Sequence, residues 1–187
     1  MKLKSKKLHL GCGKKYLDDY INCEIQTSYK ADYHFNMEKD NWPFPNNSFN
    51  SVLCAHVLEH LGDGYLFAMQ ELYRVCKKNA EVEFKFPHHR HEFFYDDPTH
   101  KRPITINGLN QFNKEHNNWV IANNFSDSTL GLDLNIDFRL QSWKVVPAKK
   151  YRNENFQLAI PEETFWDYVH KYNNVIEEVY VVLKVIK

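Results

Sequence analysis

The stretch KKLHLGCGKKYLDDYINCEI, Lys6 to Ile25, sets the tightest limit on what this chain can fold into. An apolar run over 7–11 breaks at Gly11 and Gly13 around Cys12, and a second run over 20–25 closes on Glu24. Short apolar runs bounded by turn residues read as buried strands of a parallel sheet, because such strands are covered on both faces. A strand running into Gly-x-Gly makes a tight turn at the carboxyl end of that sheet. Glycine there permits positive φ and, lacking Cβ, lets another group lie against the backbone. The 187 residues contain only six glycines, so two within three positions is a concentrated use of them.

The rest of the chain alternates in the same manner. Residues 32–36 form a weaker third strand, and WPFPNNSF is a turn punctuated by Pro43, Pro45, Asn46 and Asn47. SVLCA (51–55) is a fourth strand. Asp63 is placed to cap a helix whose apolar residues recur at Leu66, Met69, Leu72, Tyr73 and Cys76. That helix stops near Lys77–Lys78, with Asn79 in the left-handed position. Residues 80–87 alternate as a strand, and a helix is expected near 105–116. Residues 137–147 read as a strand, PEETFWDYVHKY as a helix with Phe165, Tyr168, Val169 and Tyr172 on one face, and IEEVYVVLKVIK as a β-branched strand. The last two strands are expected to pair antiparallel at an edge. Strand–helix alternation of this kind predicts an α/β fold with a mainly parallel sheet in one domain spanning 1–187.

Composition removes several classes of function. The formal net charge is zero, which argues against nucleic acid or an anionic membrane surface as partner. No apolar stretch approaches the roughly 20 residues of a membrane span. The basic start MKLKSKK is not followed by a long apolar segment with a small-residue cleavage site, so it does not read as a signal peptide. Cys12, Cys23, Cys54 and Cys76 form no CxxC pair and sit in apolar segments, which favours buried, reduced thiols in a cytoplasmic protein. No feature fixes an oligomeric state.

Glu24 gives the glycine turn a chemical meaning. In a doubly wound sheet the ends of adjacent strands lie side by side, so a carboxylate at 24 stands beside Gly11 and Gly13 and can accept both hydroxyls of a ribose. Lys14 and Lys15 follow Gly13, and no third glycine appears, which counts against a pyrophosphate-binding dinucleotide site. A ligand with a ribose and no phosphate fits better.

The ordered series LHLGCG, YINCEI, ADYHFNMEKDNWPFPNNSFNSVLCAHVLEHL and ELYRVCKKNAEVEFKFP resembles the class I S-adenosylmethionine-dependent methyltransferases, in their small single-domain, type 11-like branch. The resemblance implies a Rossmann-like methyltransferase sandwich, mostly parallel, with an antiparallel C-terminal edge hairpin. It implies S-adenosylmethionine as cofactor, with Leu10, Gly11, Cys12 and Gly13 under its methionine and ribose portions. Glu24 would sit on the ribose hydroxyls, Asn36 and Met37 beside the adenine, and Ala55 and His56 near the sulfonium. The sequence departs from the family at His9, Asn36 and Asn50, where Asp or Asn, Asp and Asp are usual, and KKNA replaces Lys-Pro-Gly-Gly. The helix after Gly13 is expected to be very short, since eight residues separate Gly13 from Asn22.

Two histidine clusters remain. HVLEH (His56–His60) spells a zinc-protease signature, but an apolar β-type run precedes it and Gly62 and Gly64 follow, so a loop in which Glu59 and His60 cap and pack is the expected form. FPHHRHEFFYDDPTHKRPIT (86–105) follows the fifth strand and admits an acceptor pocket, a metal site or a solvated loop. The candidate catalytic residues are His56, His88, His89, Asp97 and His100. If the acceptor must lose a proton, His56, His88 or His89 is expected to take it before Asp97 does. The implied reaction is methyl transfer to a small-molecule or sugar-type acceptor. The alternatives are a non-catalytic cofactor-binding protein of the same fold and a metal-dependent enzyme using the His88–His100 cluster. Trp143, Phe165, Trp166 and Tyr168 read as core, Trp42 as packing or as the adenine side, and 117–136 as a possible lid.

Overall fold

The computed structural model describes residues 3–187; Met1 and Lys2, the start of the basic arm, lie outside the described residues. Strands β1 (Lys7–Leu10), β2 (Ile21–Glu24), β3 (Tyr33–His34), β4 (Phe49–Ala55), β5 (Cys76–Pro87), β6 (Phe138–Pro147) and β7 (Ile176–Val185) form one sheet in the order β3-β2-β1-β4-β5-β7-β6. The neighbours from β3 to β5 are parallel, and β7 runs antiparallel between β5 and β6. The expected C-terminal hairpin therefore closes the sheet with β6 at the edge. Helices α1 (Tyr65–Val75), α2 (Glu92–Tyr95), α3 (Ile106–Asn110), α4 (Lys114–Ala122), α5 (Leu130–Asp133) and α6 (Glu162–Lys171) complete the fold. Among the described residues no helix is long and apolar enough to cross a membrane.

Side-chain alternation places the core on one face of the sheet. Val52 and Cys54 of β4 pair with Val82 and Phe84 of β5, which pair with Leu183 and Val181 of β7, and all six are buried. Ala68, Met69, Leu72 and Val75 of α1 bury in the same cluster at helical spacing. Each large side chain of this set contributes roughly 1.5–3 kcal/mol on burial. The register neighbours on the other face, Leu53, Glu83, Val182 and Lys85, are exposed or half-buried.

The β1–β2 and β2–β3 crossovers contain no helix, so the short helix expected after Gly13 does not form. A hydrogen-bonded loop takes its place. Asn22, fully buried, donates through Nδ2 to Leu17 O (2.8 Å) and Tyr20 O (3.2 Å), and its Oδ1 accepts from Leu17 N (3.0 Å). The buried His9 ring meets the same Oδ1 through Nδ1 at 3.2 Å, and burial lowers the His9 pKa, so the ring is neutral and donates. This is why a histidine is compatible with a position where the resemblance leads one to expect Asp or Asn. Two lysines near the start of the described residues are likewise tied down: Lys4 pairs with Asp32 and Lys7 with Asp19, each at 2.7 Å.

Several boundaries differ from expectation for local reasons. Gly64, not Asp63, precedes α1, and no side chain caps it. The helix ends at Val75, and Asn79, with φ 62°, bends β5 instead: the β4–β5 register jumps from Phe49↔Cys76 to Ser51↔Glu81 across it. The expected helix at 105–116 divides into α3 and α4 because Thr105 and Asn113 each cap a new start. Arg74 of α1 grips Glu71 and donates to Phe44 O (2.7 Å) and Trp42 O (3.1 Å), which fixes the proline turn. Trp42 is core, its Nε1 donating to Met37 O at 3.1 Å. Phe165 is core as well, whereas Trp143 is 47% exposed, since β6 is an edge strand. All four cysteines are free and buried.

Candidate functional site

The chain crosses from β3 back to β4 beside β1, and at that switch point the carboxyl ends of β1, β2 and β4 surround a cavity of about 570 Å³. The two glycines of the β1 turn do different work. Both have positive φ, 62° at Gly11 and 50° at Gly13. A Cβ on Gly11 would overlap the Val57 side chain, so that glycine serves packing; a Cβ on Gly13 would meet only open space at the cavity wall. Glu24 turns toward this bend. Its Oε2 accepts from Gly13 N at 2.8 Å, and Oε1 accepts from Ile25 N (2.8 Å) and Gln26 N (3.2 Å). A carboxylate has about four lone-pair sites, so roughly one, on Oε2, is left for a ligand.

Of the residues expected to hold the cofactor, Gly11, Gly13, Glu24, Asn36, Met37 and His56 line the cavity. Leu10 and Cys12 are buried, with Cys12 Sγ near Lys30 O (3.6 Å), and neither they nor Ala55 is among the lining residues. Asn36 Oδ1 accepts from Glu38 N at 2.9 Å and holds the turn that brings Glu38 to the wall. Sequence reasoning missed Tyr29, Glu38, His60, Thr99 and Lys101 as lining residues. Gly62 and Gly64 donate their N–H groups to Glu38 Oε1, a long-range contact with no local signal.

His56 follows β4 with φ 55°, a strained conformation for a residue with Cβ. Its Nε2 lies 3.2 Å from Glu178 Oε1 and its Nδ1 3.3 Å from Glu59 Oε1. Glu178 first, and Glu59 second, raise its pKa to about 9, so the ring is an imidazolium at neutral pH. A cation flanked by two carboxylates offers no lone pair, and the expectation of His56 as proton acceptor does not fit this geometry.

The histidine-rich segment is not one cluster. His88 and His89 line a different cavity, of about 500 Å³, with Ile104, Trp143, Trp166 and Val169. Burial, then the neighbouring His89 and Arg90, lower the His88 pKa to about 4; it is neutral but outside the cavity at the switch point. His91 is buried and caps α2, its Nδ1 accepting from Phe93 N. Asp97 and Thr99 do reach the cavity, and His100 packs its ring 4.6 Å from that of His60. The segment 117–136 contributes no lining residue; Asn117 is buried and ties α4 to Gln111 and Leu132.

A sheet of this order with its cavity at the switch point is the class I methyltransferase fold. The chain is similar in structure to an S-adenosylmethionine-dependent methyltransferase from Archaeoglobus fulgidus, with 18% identity, TM-score 0.60, and 95% of this chain and 85% of that one covered. A second from Mesorhizobium loti gives 9% identity and TM-score 0.57 over 96% and 90% of the two chains. The [4+2]-cyclase SpnF gives 14% identity and TM-score 0.58 over 96% and 75%. No curated protein matches in sequence. The family model of the methyltransferase domain matches residues 8–84, which hold the glycine turn, Glu24 and HVLEH. Residues 8–84 thus match a methyltransferase domain, and the fold of the chain is that of the class I methyltransferases.

Proposed function

We propose that the protein methylates a small-molecule acceptor, hydroxylated in the manner of a sugar, in the cavity between the β1 turn and the 97–101 loop. One observation carries the reading: Glu24 and the Gly11–Gly13 turn face each other across a shared wall, while polar groups from a distant loop close the other end. When bound, S-adenosylmethionine supplies a methyl group on a positively charged sulfur. Glu24 would hold the ribose hydroxyls through the acceptor capacity that its three backbone bonds leave. Asn36 and Met37 would flank the adenine, and the open face of Gly13 would leave room for the rest of the cofactor.

His56 with Glu59 and Glu178, the latter also paired with Lys85 at 2.8 Å, forms a fixed charged group of net charge about zero beside the cavity. Asp97, Thr99, Lys101 and His60 supply hydrogen bonds to an acceptor hydroxyl. Thr99 holds the Asp97 carboxyl below the usual range, so Asp97 is a weak base and a good hydrogen-bond acceptor. Positioning of donor and acceptor at near-attack distance is then the main contribution to rate. A neutral chain with Lys4 and Lys7 already paired with carboxylates does not suit nucleic acid.

The test is release of S-adenosylhomocysteine from purified protein offered pools of metabolites and glycan precursors. Turnover with a hydroxylated small molecule is expected. Release only on protein or nucleic acid substrates would overturn the acceptor class.

A further inference from the structure

Glu59 is 1% exposed, and among the described residues neither of its carboxylate oxygens has a hydrogen-bond partner. His56 Nδ1 comes within 3.3 Å of Oε1 but off hydrogen-bond geometry, and Oε2 has nothing. A buried carboxylate left in this state is strongly disfavoured unless it takes up a proton or a further positive charge joins it. Beside it stand two imidazoles. One oxygen of Glu59 and a ring nitrogen each of His60 and His100 lie within 4.8 Å of one another.

The hydrogen bonds around the two rings fix their tautomers. His100 Nδ1 faces Phe94 O at 2.7 Å; a carbonyl only accepts, so Nδ1 carries the hydrogen and a neutral ring offers its lone pair at Nε2. Thr99 Oγ1 donates its single hydrogen to Asp97 Oδ1 at 2.6 Å. It therefore accepts from His60 Nδ1 at 2.9 Å, and His60 too keeps Nε2 free. Asp97, Thr99 and the Phe94 carbonyl thus orient two imidazoles as outer partners orient metal-bound histidines. The Asp-Pro-Thr-His segment, 97–100, supplies three of these groups, and Lys101 N donating to Glu59 O at 2.7 Å pins the segment to the 3-10 turn Leu58–His60.

We propose that Glu59, His60 and His100 bind a divalent first-row transition ion, for which Zn²⁺ is the probe. Two imidazoles and a carboxylate are a common donor set for such an ion with a further position open. Bonds of about 2 Å place tetrahedral donors roughly 3.4 Å apart, so the three groups draw together on loading. His60 also lines the cavity at the switch point, so the open position borders the acceptor end, where it would hold an acceptor oxygen and lower its pKa. Ion binding itself does not depend on the methyl-transfer reading.

The experiment is calorimetric titration of Zn²⁺ into chelator-stripped protein, with a competing chelator to set the affinity range and Co²⁺ absorption as a second readout. One ion per chain is expected, with affinity reduced roughly 10- to 100-fold or lost in His60→Ala, His100→Ala and Glu59→Gln and retained in His88→Ala. His60 is half-buried beside a loop, so its variant tests the assignment even where a Glu59 variant fails to fold. Absence of saturable binding, or wild-type affinity in His60→Ala, overturns the site. S-adenosylhomocysteine binding measured in the same stripped protein separates this outcome from failure of the methyl-transfer reading.

Discussion

Glu24 and Glu59 are both buried carboxylates near one cavity, and the fold treats them oppositely. Glu24 accepts three backbone N–H groups from the ends of β1 and β2. Glu59 accepts none among the described residues. The first is held by peptide groups the fold must place there in any case, so it stands ready before a ligand arrives. The second is balanced only by side chains, His56 above all, and is a site waiting for charge. One end of the cavity is built on backbone groups and the other on side chains, and the second is where this chain can be particular.

The sharpest way to break that contrast is at the backbone. Gly11→Ala brings Cβ into Val57 in a left-handed conformation and is expected to lower stability by about 3 kcal/mol, read as a fall in Tm. Gly13→Ala, with open space at the same kind of φ, should lose only about 1 kcal/mol. Equal losses would mean that the two glycines share one role.

Next in size is Glu24→Ala. It removes the carboxylate proposed to hold the ribose and should weaken S-adenosylhomocysteine binding by about 2 kcal/mol, or roughly 30-fold, by calorimetry. Unchanged affinity would remove Glu24 from the cofactor site.

The smallest effect probes the Glu59 end through pH. The His56 pKa is raised in the fold to about 9, first by Glu178 and then by Glu59. A raised pKa means stabilisation fully present below the unfolded value near 6.5 and lost as pH climbs through 9. The side chain is 42% exposed, so solvent screening reduces the contribution to on the order of 1 kcal/mol. Denaturant midpoints between pH 6 and 10 should fall in the wild type, and the part of that fall due to His56 should vanish in His56→Gln. An unchanged profile in the variant would show the two carboxylates to be unpaired with it.

The meeting of the glycine turn with Glu24 at one end of the cavity was legible in the residue order because its parts are local. Gly11, Gly13 and Glu24 sit on successive strands, and a parallel register of Leu10 beside Cys23 brings the strand ends together whatever the rest of the chain does. The apolar period of α1 and the β-branched run of β7 were readable for the same reason. The missing helix after Gly13 was harder to anticipate, because it turns on Asn22 satisfying a loop that a helix would have satisfied for itself.

The end of the cavity lined by His60, Asp97, Thr99 and Lys101 was not legible. Histidines crowded between 88 and 100 suggest one cluster, yet the chain turns between them: His88 and His89 go to a second cavity, His91 caps a helix, and His100 meets His60. The sequence by itself determined the order of strands, the glycine bend and the carboxylate at the next strand end, since hydrophobic period and turn chemistry act over a few residues. Which imidazoles stand together, which carry charge and which carboxylate lacks a partner was decided only by the tertiary structure. Electrostatics and burial depend on distances between segments some forty to a hundred and twenty residues apart, as from Glu59 to His100 and from His56 to Glu178, and no local pattern encodes those distances.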